Sequence, residues 1–280
     1  MKNNKKIFLT FDLEEWPIRG RYKIDPNFEK NTKFSKNGTL KLMDLFSKYN
    51  IKCTFFVTGF FAQNEPEVIK LLSSKGHEIG SHSFANINLL DLSIEDIYSE
   101  LSATKKLLKD LTGQNIVSFR APFCWLTPDI IKILEKLDFK YDSSIHPAII
   151  PGYYYNWKYP LDPYYLCLKS KSFFNNKSNG VLEIPISVIP RVRFPISWWW
   201  MRNLGVGITK LGMNMNLNQN RSVVLYFHPW EFDNIPRIKG IPYHLIRGCG
   251  KANLKRLEII IKLFIKKYPF GKMNDFLAKE

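Results

Sequence analysis

Gly76-His77-Glu78-Ile79-Gly80-Ser81-His82-Ser83-Phe84-Ala85-Asn86 is the stretch on which the fold is read. A short strand-like run, His77 to Gly80, stops at a polar cluster that holds a second histidine. Asn86 stands four positions after His82, so a helical turn would set both on one face. A histidine with another nitrogen or oxygen donor at that spacing can hold a metal ion. The same residues also serve as an ordinary helix start. The pair alone does not choose between the two.

Working outward, the same strand-then-polar pattern recurs. Ile7 to Phe11 is a short apolar run ending at Asp12, with Leu13-Glu14-Glu15-Trp16-Pro17 as a loop after it. Leu40, Met43, Leu45 and Phe46 mark a helix face within 39–48, and Ile51 to Val57 is the next strand. Pro66 opens a helix carrying Val68, Ile69, Leu71 and Leu72, with Gly76 just past its end. Ser93 to Asp96 resembles a capping box, and Ile94, Ile97, Tyr98, Leu101, Leu108 and Leu111 keep helical period up to Gly113. Ile116 to Phe119 is a strand ending at Arg120. Thr127-Pro128 opens another helix, and Phe139 to Tyr141 leads to Asp142. Ser222 to Phe227 ends at His228, and a C-terminal amphipathic helix is predicted over 253–267. Alternating strands and helices predict an α/β fold with a parallel sheet or barrel. Residues 146–220 break the rhythm. They are rich in Tyr, Trp, Pro and Asn, hold one extended run from Val181 to Val188, and read as an elaborated cover on a single domain spanning 1–280.

Composition bounds the rest. At 280 residues, 45% of them hydrophobic, the chain suits one large domain with an ample core. Cys53, Cys124, Cys167 and Cys249 are scattered with no CxxC pair, so neither a zinc knuckle nor a disulfide framework is indicated, which fits a reducing compartment. The net charge of +16 admits acidic partners, but the lysines are spread along the chain as on a solvated surface. No motif for nucleic-acid binding accompanies the charge. The basic start Met1-Lys2-Asn3-Asn4-Lys5-Lys6 is followed by too short an apolar run for a signal peptide, and no stretch approaches the roughly 18 apolar residues of a membrane span. The expectation is a cytoplasmic protein, in peripheral contact at most with an anionic membrane face.

Asp12, His82, Arg120, Asp142 and His228 each follow a short apolar strand. Singly, each has a plain reading as a cap, a loop charge or a core histidine. In α/β barrels the C-terminal strand ends converge on one face, where active sites lie. A carboxylate with His82 and Asn86 could hold a divalent ion, a second carboxylate could act as base and a separate histidine as acid. That is the equipment of metal-assisted hydrolysis.

Thr10-Phe11-Asp12, Ser81-His82-Ser83-Phe84-Ala85-Asn86, Arg120-Ala121-Pro122-Phe123, Asp142-Ser143-Ser144 and Leu225-Tyr226-Phe227-His228, in this order, resemble the five motifs of the NodB-type polysaccharide deacetylases, carbohydrate esterase family 4. His228-Pro229-Trp230-Glu231 resembles the subgroup found with exopolysaccharide loci, whose first motif reads Asp-x-Glu. The likeness covers about residues 5–240. It implies a distorted (β/α)7 barrel, TIM-like in build. It implies Asp12 as general base, Arg120 orienting Asp12 and favouring its charged form, His228 as acid, and Asp142 tethering His228. It also implies a divalent metal, zinc first with cobalt, manganese or nickel as alternatives, and a backbone N–H near Phe123 for the oxyanion.

Two positions depart from the family pattern. Leu13 stands where a metal ligand usually follows the base, leaving Glu14 as the nearest candidate. Asn86 stands where the second histidine is usual, and an amide oxygen is a weaker zinc ligand than imidazole. Asn86 then ligates through oxygen, or another group substitutes in a weaker site, or the protein is a catalytically impaired carbohydrate binder. Phe123, Trp125 and Trp230 are the expected substrate contacts. The expected reaction is metal-dependent removal of an N-acyl, less readily an O-acyl, group from a sugar of a polysaccharide or of its nucleotide- or lipid-linked precursor. The oligomeric state is not legible.

Overall fold

The structure is a computed structural model that describes residues 5–14, 32–152, 154–166, 174–175 and 180–279. Its centre is a curled sheet with seven parallel strands: β1 (Ile7–Leu13), β2 (Thr54–Val57), β3 (Glu78–Ser81), β4 (Ser118–Phe119), β5 (Tyr141–Asp142), β6 (Leu182–Glu183) and β7 (Val223–Phe227). The order is β7-β1-β2-β3-β4-β5-β6, and the antiparallel strands Tyr164–Leu166 and Phe174–Asn175 continue it past β6. Near the open seam, the Ser187 N–H donates to the Val224 carbonyl at 3.0 Å and the Val224 N–H to Ser187 Oγ at 2.9 Å. These bonds draw the two ends of the parallel sheet together. The fold is the expected (β/α)7 barrel.

The helices are α1 (Lys33–Tyr49), α2 (Gly59–Asn64), α3 (Pro66–Ser74), α4 (Ile94–Thr112), α5 (Pro128–Lys136), α6 (Trp199–Leu204), α7 (Val206–Asn218) and α8 (Lys251–Phe264), with a four-residue turn of helix at Tyr243–Ile246. They lie outside the sheet, and the main core fills the space between with Leu9, Phe11, Phe46, Phe55, Ile69, Leu101, Leu134, Leu225 and Ile261, all buried. Local chemistry sets the helix ends as read. Ser93 Oγ accepts the Asp96 N–H at the start of α4, Thr127 Oγ1 accepts the Ile130 N–H at the start of α5, and Gly113 closes α4 in a left-handed conformation.

Three differences from the sequence reading matter. The segment after His82 is not a helical turn. Ser83 takes a positive φ of 63° and residues 82–88 run as irregular loop before a short turn at Leu89–Asp91. Residues 146–220 do more than cover the barrel, because β6 lies among them and supplies its seventh parallel strand. The extended run from Val181 to Val188 is broken, with β6 at one end and a separate pairing of Val188–Ile189 at the other. No helix among the described residues is long and apolar enough to cross a membrane. Cys167 lies outside the described residues.

Candidate active site

Parallel pairing puts every strand's C-terminal end on one rim, and the polar residues gather there. Asp12 and Glu14 come from the end of β1, His82 follows β3, Arg120 follows β4, Asp142 and Glu183 end β5 and β6, and His228 follows β7. All seven side chains are buried. The backbone locks these ends to one another: the His82 N–H donates to the Val57 carbonyl at 2.9 Å, and the Arg120 N–H to the Ser81 carbonyl at 3.0 Å.

Arg120 is the hub. Its Nη1 donates to Asp12 Oδ1 at 2.8 Å and to Thr10 Oγ1 at 3.0 Å. Its Nε donates to the Ser143 carbonyl at 2.7 Å and its Nη2 to Ser143 Oγ at 2.9 Å. The guanidinium also lies over the Phe56 ring at 4.4 Å and the Tyr226 ring at 5.2 Å. A planar fork with this many fixed partners holds one oxygen of Asp12 in place and leaves the other, Oδ2, directed at His82 Nε2 at 3.8 Å.

His82 shows its preferred tautomer by its contacts. Nδ1 lies 2.8 Å from the Arg120 carbonyl, which can only accept, so Nδ1 carries a proton. Nε2 then faces Glu14 Oε2 at 3.4 Å and Asp12 Oδ2 at 3.8 Å. Burial opposes a charge on His82, yet Asp12 and Glu14 outweigh it and raise the imidazole above its ordinary range. Lone pairs on nitrogen and carboxylate face one another here, so the gap calls for a cation, either a proton or a metal ion. The second oxygen of Glu14, Oε1, is buried with no hydrogen-bond partner, and it lies 3.6 Å from His228 Nε2. An orphaned buried carboxylate oxygen and an imidazole oriented by a carbonyl are donors that fit a divalent ion. Among the described residues, however, no group of three or more His, Cys, Asp or Glu side chains is disposed to hold a metal. Glu14 and His82 therefore fit as two ligands and need a third from another residue type or from solvent. Asn86 is half-buried in the loop beyond His82. That loop is held by Glu100 Oε2, which accepts from Ser83 Oγ at 3.2 Å and from the Phe84 and Ala85 N–H groups at 3.1 and 3.3 Å.

His228 departs from the expected arrangement. Its Nδ1 faces Glu231 Oε1 at 3.4 Å, and its backbone N–H donates to the same oxygen at 2.9 Å. Tyr226 OH lies 2.9 Å from Nε2. Trp230 stacks on the imidazole at 5.3 Å, and Trp198 meets it edge-on at 5.2 Å. Burial again opposes the charged form, but Glu231 and Glu14 prevail and raise His228. α1 seats this turn against the barrel. A Cβ on Gly38 would stand 1.8 Å from the Pro229 carbonyl oxygen, so only glycine allows the approach.

Asp142 is not the tether of His228. Its Oδ1 accepts from Ser144 Oγ at 2.6 Å and its Oδ2 from the Ser144 N–H at 3.0 Å. Its acidic neighbour is Glu183, whose Oε1 accepts the Ile145 N–H at 3.0 Å. Burial, and then the charge of Asp142, raise Glu183 well above its ordinary value, and burial raises Asp142. The pair acts on the rim indirectly: Ser144 Oγ also accepts the Ala121 N–H at 2.7 Å, at the start of the turn that carries Phe123. Phe123 and Cys124 both take φ of 59°, a conformation non-glycine residues adopt rarely.

Of the expected substrate contacts, Phe123 (47% exposed) and Trp125 (44% exposed) stand open on the rim. Trp230 does not. It is 1% exposed and packs with Phe34, Ile241 and Ile246 beneath His228. Sequence reading quoted Glu231 only as part of a motif, without a role, and missed Arg202, Glu183 and Glu100. The place of Glu231 could have been found, since it lies three residues after His228 in a turn that brings the two together.

A family model described as "Polysaccharide deacetylase" matches residues 1–141, and one described as "Domain of unknown function (DUF3473)" matches residues 159–278. The chain is 31% identical over 117 residues to the peptidoglycan deacetylase of Helicobacter pylori, 41% of this chain and 40% of that protein. It is 33% identical over 107 residues to the peptidoglycan-N-acetylmuramic acid deacetylase of Bacillus subtilis, 38% of this chain and 41% of that one. The chain thus spans less than half the length of these curated relatives. Among solved structures, a candidate polysaccharide deacetylase of Mycobacterium smegmatis superposes with a TM-score of 0.69 at 19% identity, over 98% of this chain and 89% of that chain. At that identity the likeness speaks for the fold.

Proposed function

This chain belongs to the polysaccharide deacetylase family, whose model takes in residues 1–141, and from that premise we propose that it is a metal-dependent deacetylase releasing an acyl group from an N-acylated sugar unit of a polysaccharide or its carrier-linked precursor. The observation that carries the reading is the opposed pair at the rim. Asp12, fixed on one oxygen by Arg120 at 2.8 Å, lies 3.8 Å from His82, and His228, backed by Glu231, lies 3.6 Å from Glu14, the two partners of the buried Glu14–His82 centre.

In this reading Asp12 Oδ2 takes the proton of the attacking water, because Oδ1 is committed to Arg120. His228 Nε2 delivers a proton to the leaving nitrogen, and its raised affinity for protons suits an acid. Glu14 and His82 would hold a divalent ion, with Asn86 the expected third donor through its amide oxygen. When bound, such an ion polarises the acyl carbonyl and eases ionisation of water. Backbone N–H groups of the Phe123 turn are the expected donors to the oxyanion. Phe123 and Trp125 offer exposed rings to apolar sugar faces. The relatives' names favour N-acetylated amino-sugar polymers as the substrate class.

A second reading is favoured by one observation. Asn86 and the lack of a three-ligand His, Cys, Asp or Glu group among the described residues fit a sugar-binding homologue with impaired hydrolysis. Acetate release from chitooligosaccharide, measured with and without chelator alongside the metal content of the purified protein, separates the two. Bound metal with chelator-sensitive release is expected; sugar binding with neither sinks the enzyme reading. Asn86→His is expected to raise zinc occupancy at limiting zinc by about 10-fold. No change in occupancy or rate would remove Asn86 from the site.

A further inference from the structure

The reaction proposed above needs an acid whose ring is held still, and Asp142 is engaged elsewhere. We propose that Glu231 and Arg202, both from the second half of the chain, are the positioning pair for His228, so that the region matched to a domain of unknown function completes the site. This inference rests on the reading of His228 as the acid.

The contacts form one buried line. Glu231 Oε1 serves the His228 backbone N–H at 2.9 Å and faces Nδ1 at 3.4 Å. Its other oxygen, Oε2, accepts from Arg202 Nε at 3.0 Å. Arg202 Nη1 donates to the Leu245 and Arg247 carbonyls, each at 2.9 Å. Glu231 and Arg202 are both buried, and the Arg202 guanidinium sits 5.6 Å over the Trp230 ring, which itself stacks on His228. A carboxylate opposite Nδ1 favours the tautomer with the proton on Nδ1 and aims Nε2 at the rim, where Tyr226 OH lies 2.9 Å and Glu14 Oε1 3.6 Å away. Trp198 and Trp230 limit rotation of the ring.

The competing explanation is that the ion pair only fastens α6 to the Pro229–Phe232 turn. A buried ion pair is weak evidence for stability, since hydrophobic replacements are often as stable. A pair that served only to fasten would also have no reason to end on the imidazole. Glu231→Gln preserves shape and an acceptor for the His228 N–H while removing the charge opposite Nδ1.

The test uses the full chain with zinc and chitooligosaccharide, and follows the His228 ring nitrogens by 15N NMR. Glu231→Gln is expected to lower kcat about 10–100-fold with KM within about twofold, and to shift the His228 Nδ1 resonance. Asp142→Asn is expected to leave that resonance in place. Arg202→Met is expected to lower kcat about 10-fold, with part restored by Arg202→Lys. Wild-type kcat in Glu231→Gln, or a resonance that moves in Asp142→Asn and not in Glu231→Gln, overturns the proposal. If the wild-type protein releases no acetate, the deacetylase reading fails while the NMR arm still decides the tether.

Discussion

Glu14 and Glu78 are both buried glutamates on the same sheet, at opposite ends of it. Glu78, at the start of β3, is fully partnered. Its Oε2 accepts from Thr54 Oγ1 at 2.8 Å and from the Asn274 N–H at 3.0 Å, and its Oε1 from Tyr141 OH. Thr54 Oγ1 accepts the Met273 N–H at 2.9 Å in turn, so the network pins the C-terminal segment under the barrel. Glu14, at the other end, has one oxygen with no hydrogen bond and the other facing an imidazole nitrogen. Equal burial thus carries opposite meanings. A satisfied carboxyl group closes the fold, whereas an unsatisfied one is a place for something the protein does not itself supply.

The comparison predicts that substitutions at the two ends separate function from stability. The largest effect belongs to the rim. Asp12→Asn keeps shape but removes the base, so kcat is expected to fall about 10²–10⁴-fold in the fraction of protein that remains folded. Residual activity within tenfold of wild type would remove Asp12 from that role. At the other end, Glu78→Ala leaves Tyr141, Thr54 and the Asn274 N–H without their acceptor. It is expected to cost about 3 kcal/mol of stability in urea melts and to leave KM unchanged. A loss below about 1 kcal/mol would show that the network is not holding the base of the barrel.

The same contrast explains what was legible. Strand ends were readable because apolar runs of period one stop abruptly at a polar residue, as at Phe11-Asp12, Phe119-Arg120 and Phe227-His228. Parallel pairing then made them converge without further information. The partner of each rim residue was not readable. The family resemblance implied Asp142 as the tether of His228, but both oxygens of Asp142 accept from Ser144, beside Glu183. Glu231, three residues after His228, is the carboxylate that faces its Nδ1 at 3.4 Å. Trp230 read as a mouth residue because it follows His228 by two positions, yet the short turn Pro229–Phe232 folds it inward against Phe34 and Ile241. Arg202 was hidden behind the aromatic run Trp198-Trp199-Trp200, whose composition drew attention from the one cation beyond it.

The two histidines of the Gly76–Asn86 stretch sharpen the comparison. His77 sits at the base and is pushed down to about 4, chiefly by burial, then by Lys52 and Lys272. Its Nδ1 lies 3.2 Å from the Cys53 N–H and accepts from it. A depressed histidine is neutral in the fold, whereas the unfolded chain takes up a proton near pH 6.5. Its stabilising effect is therefore complete above about pH 6.5 and is lost as pH falls toward about 4. Between pH 7 and pH 5 the loss is expected to be about 2 kcal/mol. His77→Asn, which offers an amide oxygen to the Cys53 N–H, should flatten that slope by about this amount in urea melts at the two pH values. An unchanged slope would mean that His77 is not buried neutral.

The smallest expected change in stability is the one that bears hardest on the comparison. Glu14→Gln replaces a buried carboxylate, one oxygen of which has no hydrogen-bond partner, with a neutral amide of the same shape. Glu14 faces two imidazoles but accepts no hydrogen bond on Oε1, so the metal-free protein should lose far less stability than Glu78→Ala costs. The cation-holding capacity should fall, because an amide oxygen is a poorer donor than a carboxylate. About 10-fold weaker zinc binding, read by competition with a chromophoric chelator, is the expected outcome, and it requires no substrate. Zinc affinity equal to wild type together with a loss of stability as large as that of Glu78→Ala would reverse the assignment. Glu14 would then be a structural group like Glu78, and the gap between it and His82 would be filled by a proton alone.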